Sequence, residues 1–358
     1  TGGGSAAAGG GAAAGGSKLK ALPEIAAAIK AVAKASATDP KCKYPPSCPL
    51  YADAKKAIGV KGKDEAVLES MAALVTDDDP AVRDVTGFLF YLAYAPRRVM
   101  KSGKVKPEIA DALMAGLSKL KKYAAVRTAP YAVYAATITD KLPAIEKAIN
   151  AHEHPAVAPR AIAALMTYGR LKAFPLVQKY AKSEKPELAA AAFKAPREMY
   201  KWTDDERKAI CPWAMAALGH KELRVATEAA HVMNSCKHDN KYIEALIAEG
   251  KKRVAAGEWK APYDFPFRDV CFGGFFGTDK KAPTELCDKN YKFLLSITNN
   301  KKVPANMRAR ALDWIVYQRR DRKSYNLLKK YKSHKVKEIA TVAKKGMEML
   351  ERSYLKKK

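Results

Sequence analysis

Asp79-Pro80-Ala81-Val82-Arg83 is the stretch on which the fold reading turns. Proline is tolerated in the first turn of a helix, where its missing N–H would have no intrahelical partner anyway. The residues that follow place Val82, Val85, Leu89 and Leu92 three and four apart, on one helical face. The opening recurs. His154-Pro155-Ala156-Val157 leads into a stripe of Val157, Ala161, Leu165 and Tyr168. Lys185-Pro186-Glu187-Leu188, Lys221-Glu222-Leu223-Arg224 and Val303-Pro304-Ala305-Asn306-Met307-Arg308 begin further copies. Pro155 and Pro186 lie 31 residues apart and Pro186 and Glu222 lie 36 apart, the interval of one helix pair. The gaps Pro80 to Pro155 and Glu222 to Pro304, 75 and 82 residues, each hold two such units.

From Lys18 to the end nearly every segment keeps the three-and-four spacing, and no period-two stretch is sustained. The sequence therefore predicts an all-α fold of about eight or nine helix pairs stacked side by side, because one pair cannot cover its own apolar face. The Asp-Pro-Ala-Val-Arg opening resembles the start of the second helix of a HEAT repeat. In that family the aspartate and arginine of successive repeats form a hydrogen-bonded ladder. Arg83, Arg224 and Arg308 match the arginine, whereas His154, Lys185 and Lys221 stand where the aspartate would be. The resemblance implies a right-handed superhelical α-solenoid over 18–358. HEAT arrays are mostly binding scaffolds and in a few cases enzymes, so the resemblance bears on architecture more than on chemistry.

With 48% hydrophobic and 28% charged residues the chain has the composition of a folded protein. No run of about 18 apolar residues is present, so no membrane-spanning helix is expected. Lysine and arginine number 65 against 37 acidic residues, a net charge of +28. Such a field attracts nucleic acid, anionic lipid or acidic protein without choosing among them, and a lysine-rich solvated surface produces it equally well. The six cysteines contain no CxxC pair and no zinc-site spacing. They form three sequence-local pairs, Cys42 with Cys48, Cys211 with Cys236 and Cys271 with Cys287, as disulfides of an exported protein would. Six buried thiols in a cytosolic chain are the alternative.

Residues 1–17, TGGGSAAAGGGAAAGGS, cannot bury a core and read as a flexible tether. The chain starts without methionine, which leads to the expectation that something preceded Thr1. The tether resembles the linker after the lipidated cysteine of bacterial lipoproteins. That implies a periplasmic or cell-surface location and membrane tethering through a lost lipid anchor. An ordinary disordered terminus is the competing reading.

One segment breaks the helical rhythm. Residues 257–283, GEWKAPYDFPFRDVCFGGFFGTDKKAP, are too rich in proline, glycine and aromatics to continue a helix pair, and the Cys271–Cys287 bridge would staple this insertion, 257–287. Exposed, Trp259, Tyr263, Phe265, Phe267, Phe272, Phe275 and Phe276 would make a binding surface. Buried, they would plug a break in the helical stack. A second candidate surface lies in 319–358, where 15 basic residues face four acidic ones. Arg319, Arg320, Arg322, Lys323, Lys329 and Lys330 could hold phosphates there, or simply solvate the end of the array.

Catalytic motifs are missing: the sequence has no GxSxG, GxxxxGK[ST], HExxH or GxGxxG. His152 and His154, with Glu153, make too small a ligand set for a metal, and His231 sits in an apolar helix. Asp77 to Asp79 and Thr203-Asp204-Asp205-Glu206 read as helix N-termini, the latter as a capping box. No cofactor and no metal site is expected. The sequence thus points to a monomeric, non-catalytic scaffold that engages a protein or an anionic envelope component. A HEAT-like nucleic-acid-binding protein, including the DNA-glycosylase class, is the competing expectation.

Overall fold

Asp79 caps the helix that Pro80 begins, its Oδ1 accepting the Ala81 N–H at 2.8 Å. Val82, Val85 and Leu89 are buried along that helix as the stripe requires, while Leu92 lies outside the described residues. The computed structural model describes residues 19–60, 62–90, 98–99, 102, 104–152, 154–236, 239–259, 265–271, 284–318 and 321–352. The 1–17 tether lies outside them. Among the described residues there are sixteen α-helices, short 3-10 turns and no strand. None of these helices is long and apolar enough to cross a membrane.

The chain divides into two compact units, Thr1–Ala161 and Ile162–Lys358. The first contains α1 (Pro23–Thr38), α2 (Tyr51–Ile58), α3 (Asp64–Leu74), α4 (Pro80–Leu89), α5 (Pro107–Leu117), α6 (Lys122–Ile138) and α7 (Leu142–Ala151). Here helices pack on their chain neighbour and on the next but one: α3 on α4 and α5, α4 on α6, and α5 on α6 and α7. The core between them includes the fully buried Leu68, Met71, Leu113 and Leu117. Gly116 lets α5 approach the end of α3, because a Cβ there would lie 2.7 Å from the Val75 carbonyl oxygen.

Helix α8 (Val157–Ala181) carries the division between the units and is broken at Arg170, whose φ of 51° is left-handed. The second unit continues with α9 (Pro186–Lys194), α10 (Asp204–Ala216), α11 (Leu223–Met233), α12 (Asn240–Ala255), α13 (Thr284–Asn299), α14 (Ala305–Gln318), α15 (Arg322–Tyr331) and α16 (Lys337–Leu350). The neighbour and next-but-one pairing returns in α9 with α11, α10 with α11 and α12, and α14 with α16. Thr203 and Glu206 form the capping box, Oγ1 accepting the Glu206 N–H at 3.2 Å and Oε2 accepting the Thr203 N–H at 2.7 Å. Arg170 then clamps Glu206, which is 2% exposed, at 2.6 Å to each carboxylate oxygen.

The openings differ from one another in an instructive way. Just before the helix, Asp77 Oδ1 accepts the Asp79 N–H at 3.0 Å, and His154 Nδ1 likewise accepts the Ala156 N–H at 3.1 Å. His220 and His334 do the same for Glu222 and Val336, each at 3.0 Å. An imidazole ring nitrogen can supply the acceptor that this turn needs, so histidine stands at these turns where Asp77 stands at the first. At Pro155 the helix starts two residues late, at Val157, because residues 155 and 156 form that turn. The arginines at these openings also act differently from a ladder partner. Arg83 donates to the carbonyls of Asp77 and Asp78, in the loop before its own helix, at 2.7 and 3.0 Å, whereas Arg308 donates to that of Thr298, in the last turn of the preceding helix α13, at 2.8 Å. Terminal helix carbonyls lack intrahelical partners and carry the negative end of the dipole, which a guanidinium satisfies. Arg224 is exposed.

All six cysteines are paired in the expected combinations, Cys42–Cys48, Cys211–Cys236 and Cys271–Cys287. Cys211 and Cys236 are fully buried and tie α10 to the turn after α11.

Candidate functional site

Within the described part of the aromatic segment, Phe265 and Phe267 turn inward. Phe265 is 2% exposed and Phe267 is 0% exposed. The Phe267 ring meets Phe293 edge-on with centroids 5.0 Å apart and lies 5.9 Å from Phe265. Gly250 makes room for it, since a Cβ there would collide with the ring. The Phe267 carbonyl accepts hydrogen bonds from Asn290 Nδ2, at 2.9 Å, and from Gln318 Nε2. Trp259 lines a small apolar cavity with Met307 and Trp314. Phe265 and Phe267 fill the core of the second unit, with Trp259 half-buried nearby, and burial of such large apolar rings is stabilising. Tyr263, Phe272, Phe275 and Phe276 lie outside the described residues.

On α15, Arg322, Lys323, Lys329 and Lys330 are exposed while Ser324 and Leu328 on the same helix are buried. They form its solvent face, and the Arg322 guanidinium lies 5.3 Å from the Tyr325 ring centroid. Arg319 and Arg320 lie outside the described residues. The histidine pair is occupied by the backbone: His152 Nδ1 accepts the His154 N–H at 3.0 Å, and His154 Nδ1 caps the next turn.

The first unit holds a groove that sequence reasoning missed. It has a volume of about 420 Å³ and is lined chiefly by Lys43, Tyr44, Asp84, Phe88, Lys122 and Tyr123. Its first wall is a disulfide loop. Cys42 and Cys48 close two 3-10 turns, Pro40–Cys42 and Pro45–Ser47, and Tyr44 caps the second. Prolines at the start of each turn and Asp39, accepting the Lys41 N–H at 2.8 Å, hold this loop in shape. Tyr44 is thereby fixed at 53% exposure with its ring perpendicular to Phe88, centroids 5.5 Å apart.

Phe88, on α4, is buried beneath it and is stacked by the Arg127 guanidinium at 3.8 Å from the ring centroid, a cation–π contact. Tyr51 packs edge-on to Phe88 at 6.2 Å. Its hydroxyl is buried without a hydrogen-bond partner among the described residues. Burial pushes this phenol up to about 12, with the Arg127 charge opposing the shift. The second wall is the start of α6. The Lys121 N–H donates to Asp84 Oδ1 at 2.9 Å and its ammonium lies 3.5 Å from Oδ2, docking α6 on α4. Lys122 and Tyr123 are left exposed, with the Lys122 ammonium 5.4 Å from the Tyr123 ring centroid.

The groove thus combines two exposed phenol rings with three lysines, against a single carboxylate already paired to one of them. Such a lining suits an anionic ligand that also has a flat or apolar face. Two sequence signals pointed toward it: Tyr44 lies inside a cysteine pair, and Lys121-Lys122-Tyr123 sets cations beside an aromatic. Nothing local joins them, since they meet only through the packing of α1, α4 and α6. Compared with known proteins, the chain matches no protein-family model, and a search of curated proteins returns no match.

Proposed function

We propose that this chain is an exported, non-catalytic binding protein that engages a protein or an anionic envelope component at the periplasm or cell surface. Its architecture on this reading is a HEAT-like superhelical stack of about eight or nine helix pairs, held near a membrane by the N-terminal tether. The observation that carries the reading is the basic, aromatic groove beside the Cys42–Cys48 loop. Three cysteine pairs with none left over support export, because reducing compartments rarely keep structural disulfides.

Two measurements test it. Intact mass of the native protein, with and without reduction before alkylation, is expected to show no free thiol until reductant is added; six free thiols would remove the argument for export. Co-sedimentation with a purified envelope fraction is expected to fall about tenfold in the Lys43→Glu/Lys122→Glu variant. Both lysines are exposed, so the fold should survive the change. A variant that sediments like the parent would sink the groove as the binding site.

A second reading, nucleic-acid binding, is favoured by the net charge of +28. It requires duplex DNA affinity that falls steeply with added salt. Undetectable binding at low salt would eliminate it.

Opening the Cys42–Cys48 loop offers a further check on the groove. The Cys42→Ser/Cys48→Ser variant is expected to lose about 2 kcal/mol of stability, as a short loop closure implies, and to lose envelope binding with it. Retained binding would show that Tyr44 needs no staple.

A further inference from the structure

We infer that the groove of the first unit takes an acidic carbohydrate, a chain of pyranose sugars bearing carboxylates. This rests on the binding-protein reading above and narrows it to one ligand class. The rings come first. Tyr44 and Tyr123 both line the groove at 53% and 64% exposure, the first held out by a disulfide loop and the second by the docked start of α6. Aromatic faces kept in water by rigid elements are poised for a partner. A pyranose offers a flat face of C–H groups that packs on such a ring through dispersion, with its hydroxyls directed to the sides.

The polar groups fit the same class. Lys43 and Lys122 supply exposed ammonium donors for carboxylates, while Asp84 and Ser36 put acceptor oxygens in the same lining. Sugar hydroxyls both donate and accept, so they use a mixed lining fully. A phosphodiester backbone without hydroxyls offers only acceptors, so it would leave the acceptor oxygens of Asp84 and Ser36 unused.

A peptide meets a poorer match. Extended peptides are gripped by adding a strand to a sheet edge, and no strand exists among the described residues. Helical peptides lay an apolar stripe into an apolar groove, whereas this one is rimmed by lysines. The volume of about 420 Å³ falls in the range of sites for small ligands, enough to hold a few sugars of a longer polymer.

The test is calorimetric titration of the full chain with a panel of uronate oligosaccharides: oligogalacturonate, mannuronate–guluronate oligomers and glucuronate-containing oligomers. Methyl-esterified oligogalacturonate removes the charge and keeps the ring, and poly-glutamate of matched charge keeps the charge and removes the ring. At least one uronate is expected to bind about tenfold tighter than poly-glutamate, and Tyr44→Ala or Tyr123→Ala to weaken it about tenfold. Esterification should abolish the binding to galacturonate if that is the member bound. Poly-glutamate binding as well as every uronate, or tyrosine variants that bind like the parent, would overturn the carbohydrate and leave a binding protein that reads charge alone. If no uronate binds, the carbohydrate is also overturned, and the envelope co-sedimentation decides separately whether the binding-protein reading falls with it.

Discussion

Phe267→Ala is expected to lower the stability of the second unit by about 3–5 kcal/mol, the range for deleting a fully buried phenylalanine ring. The residue is completely buried, meets Phe265 and Phe293, and sits where Gly250 leaves space for it. Removing the ring leaves a cavity that α12 and α13 cannot close, because the Phe267 carbonyl stays tied to Asn290 and Gln318. All four tryptophans, Trp202, Trp213, Trp259 and Trp314, lie in the second unit, so their fluorescence during urea unfolding reports on it alone. A shift equivalent to less than about 1 kcal/mol would mean that the segment is not a plug. An exposed binding residue would behave in that way.

Arg253→Met is expected to cost about 3 kcal/mol or more, the lower end of what breaking a buried ion pair costs. The Arg253 guanidinium is almost fully buried. It lies 2.8 Å from Glu249 and 2.7 Å from Glu258, and donates to the carbonyls of Leu218 and His220 at 3.0 Å each. Methionine matches the stem of the side chain but supplies no donor. The variant strands Glu249, whose side chain is only 13% exposed, together with two carbonyls in the turn between α10 and α11. Glu258 is half exposed and can be rehydrated, which keeps the cost from rising further. Adding Glu249→Gln to Arg253→Met is expected to recover part of the loss, because the uncompensated charge is then gone. If the single variant unfolds within about 1 kcal/mol of the parent, the guanidinium is not what holds that turn.

The readings that held from sequence are those whose causes are local. Asp79 and Pro80 start a helix because a side-chain acceptor and a fixed φ act within a few residues. Thr203 and Glu206 form their box for the same reason. Cys42 and Cys48 meet because six residues separate them and little else is in reach. The readings that the sequence left open concern direction. Phe265 and Phe267 carry the same composition whether they face water or a core, and only Gly250, Asn290, Phe293 and Gln318 decide between the two. The arginines of the repeated opening were legible as a motif. Their partners were not: Arg83 bonds the carbonyls of its own preceding loop, and Arg308 a carbonyl in the last turn of α13.

By itself the sequence determined that the described residues are helical, where several of the helices begin and which cysteines pair, since hydrophobic periodicity, capping and short loops act over a few residues. Tertiary structure alone decided that Phe265 and Phe267 are buried and that residues 44, 88 and 123 share one groove. Those outcomes depend on contacts between helices distant in the chain, and a linear pattern carries no record of which faces will meet.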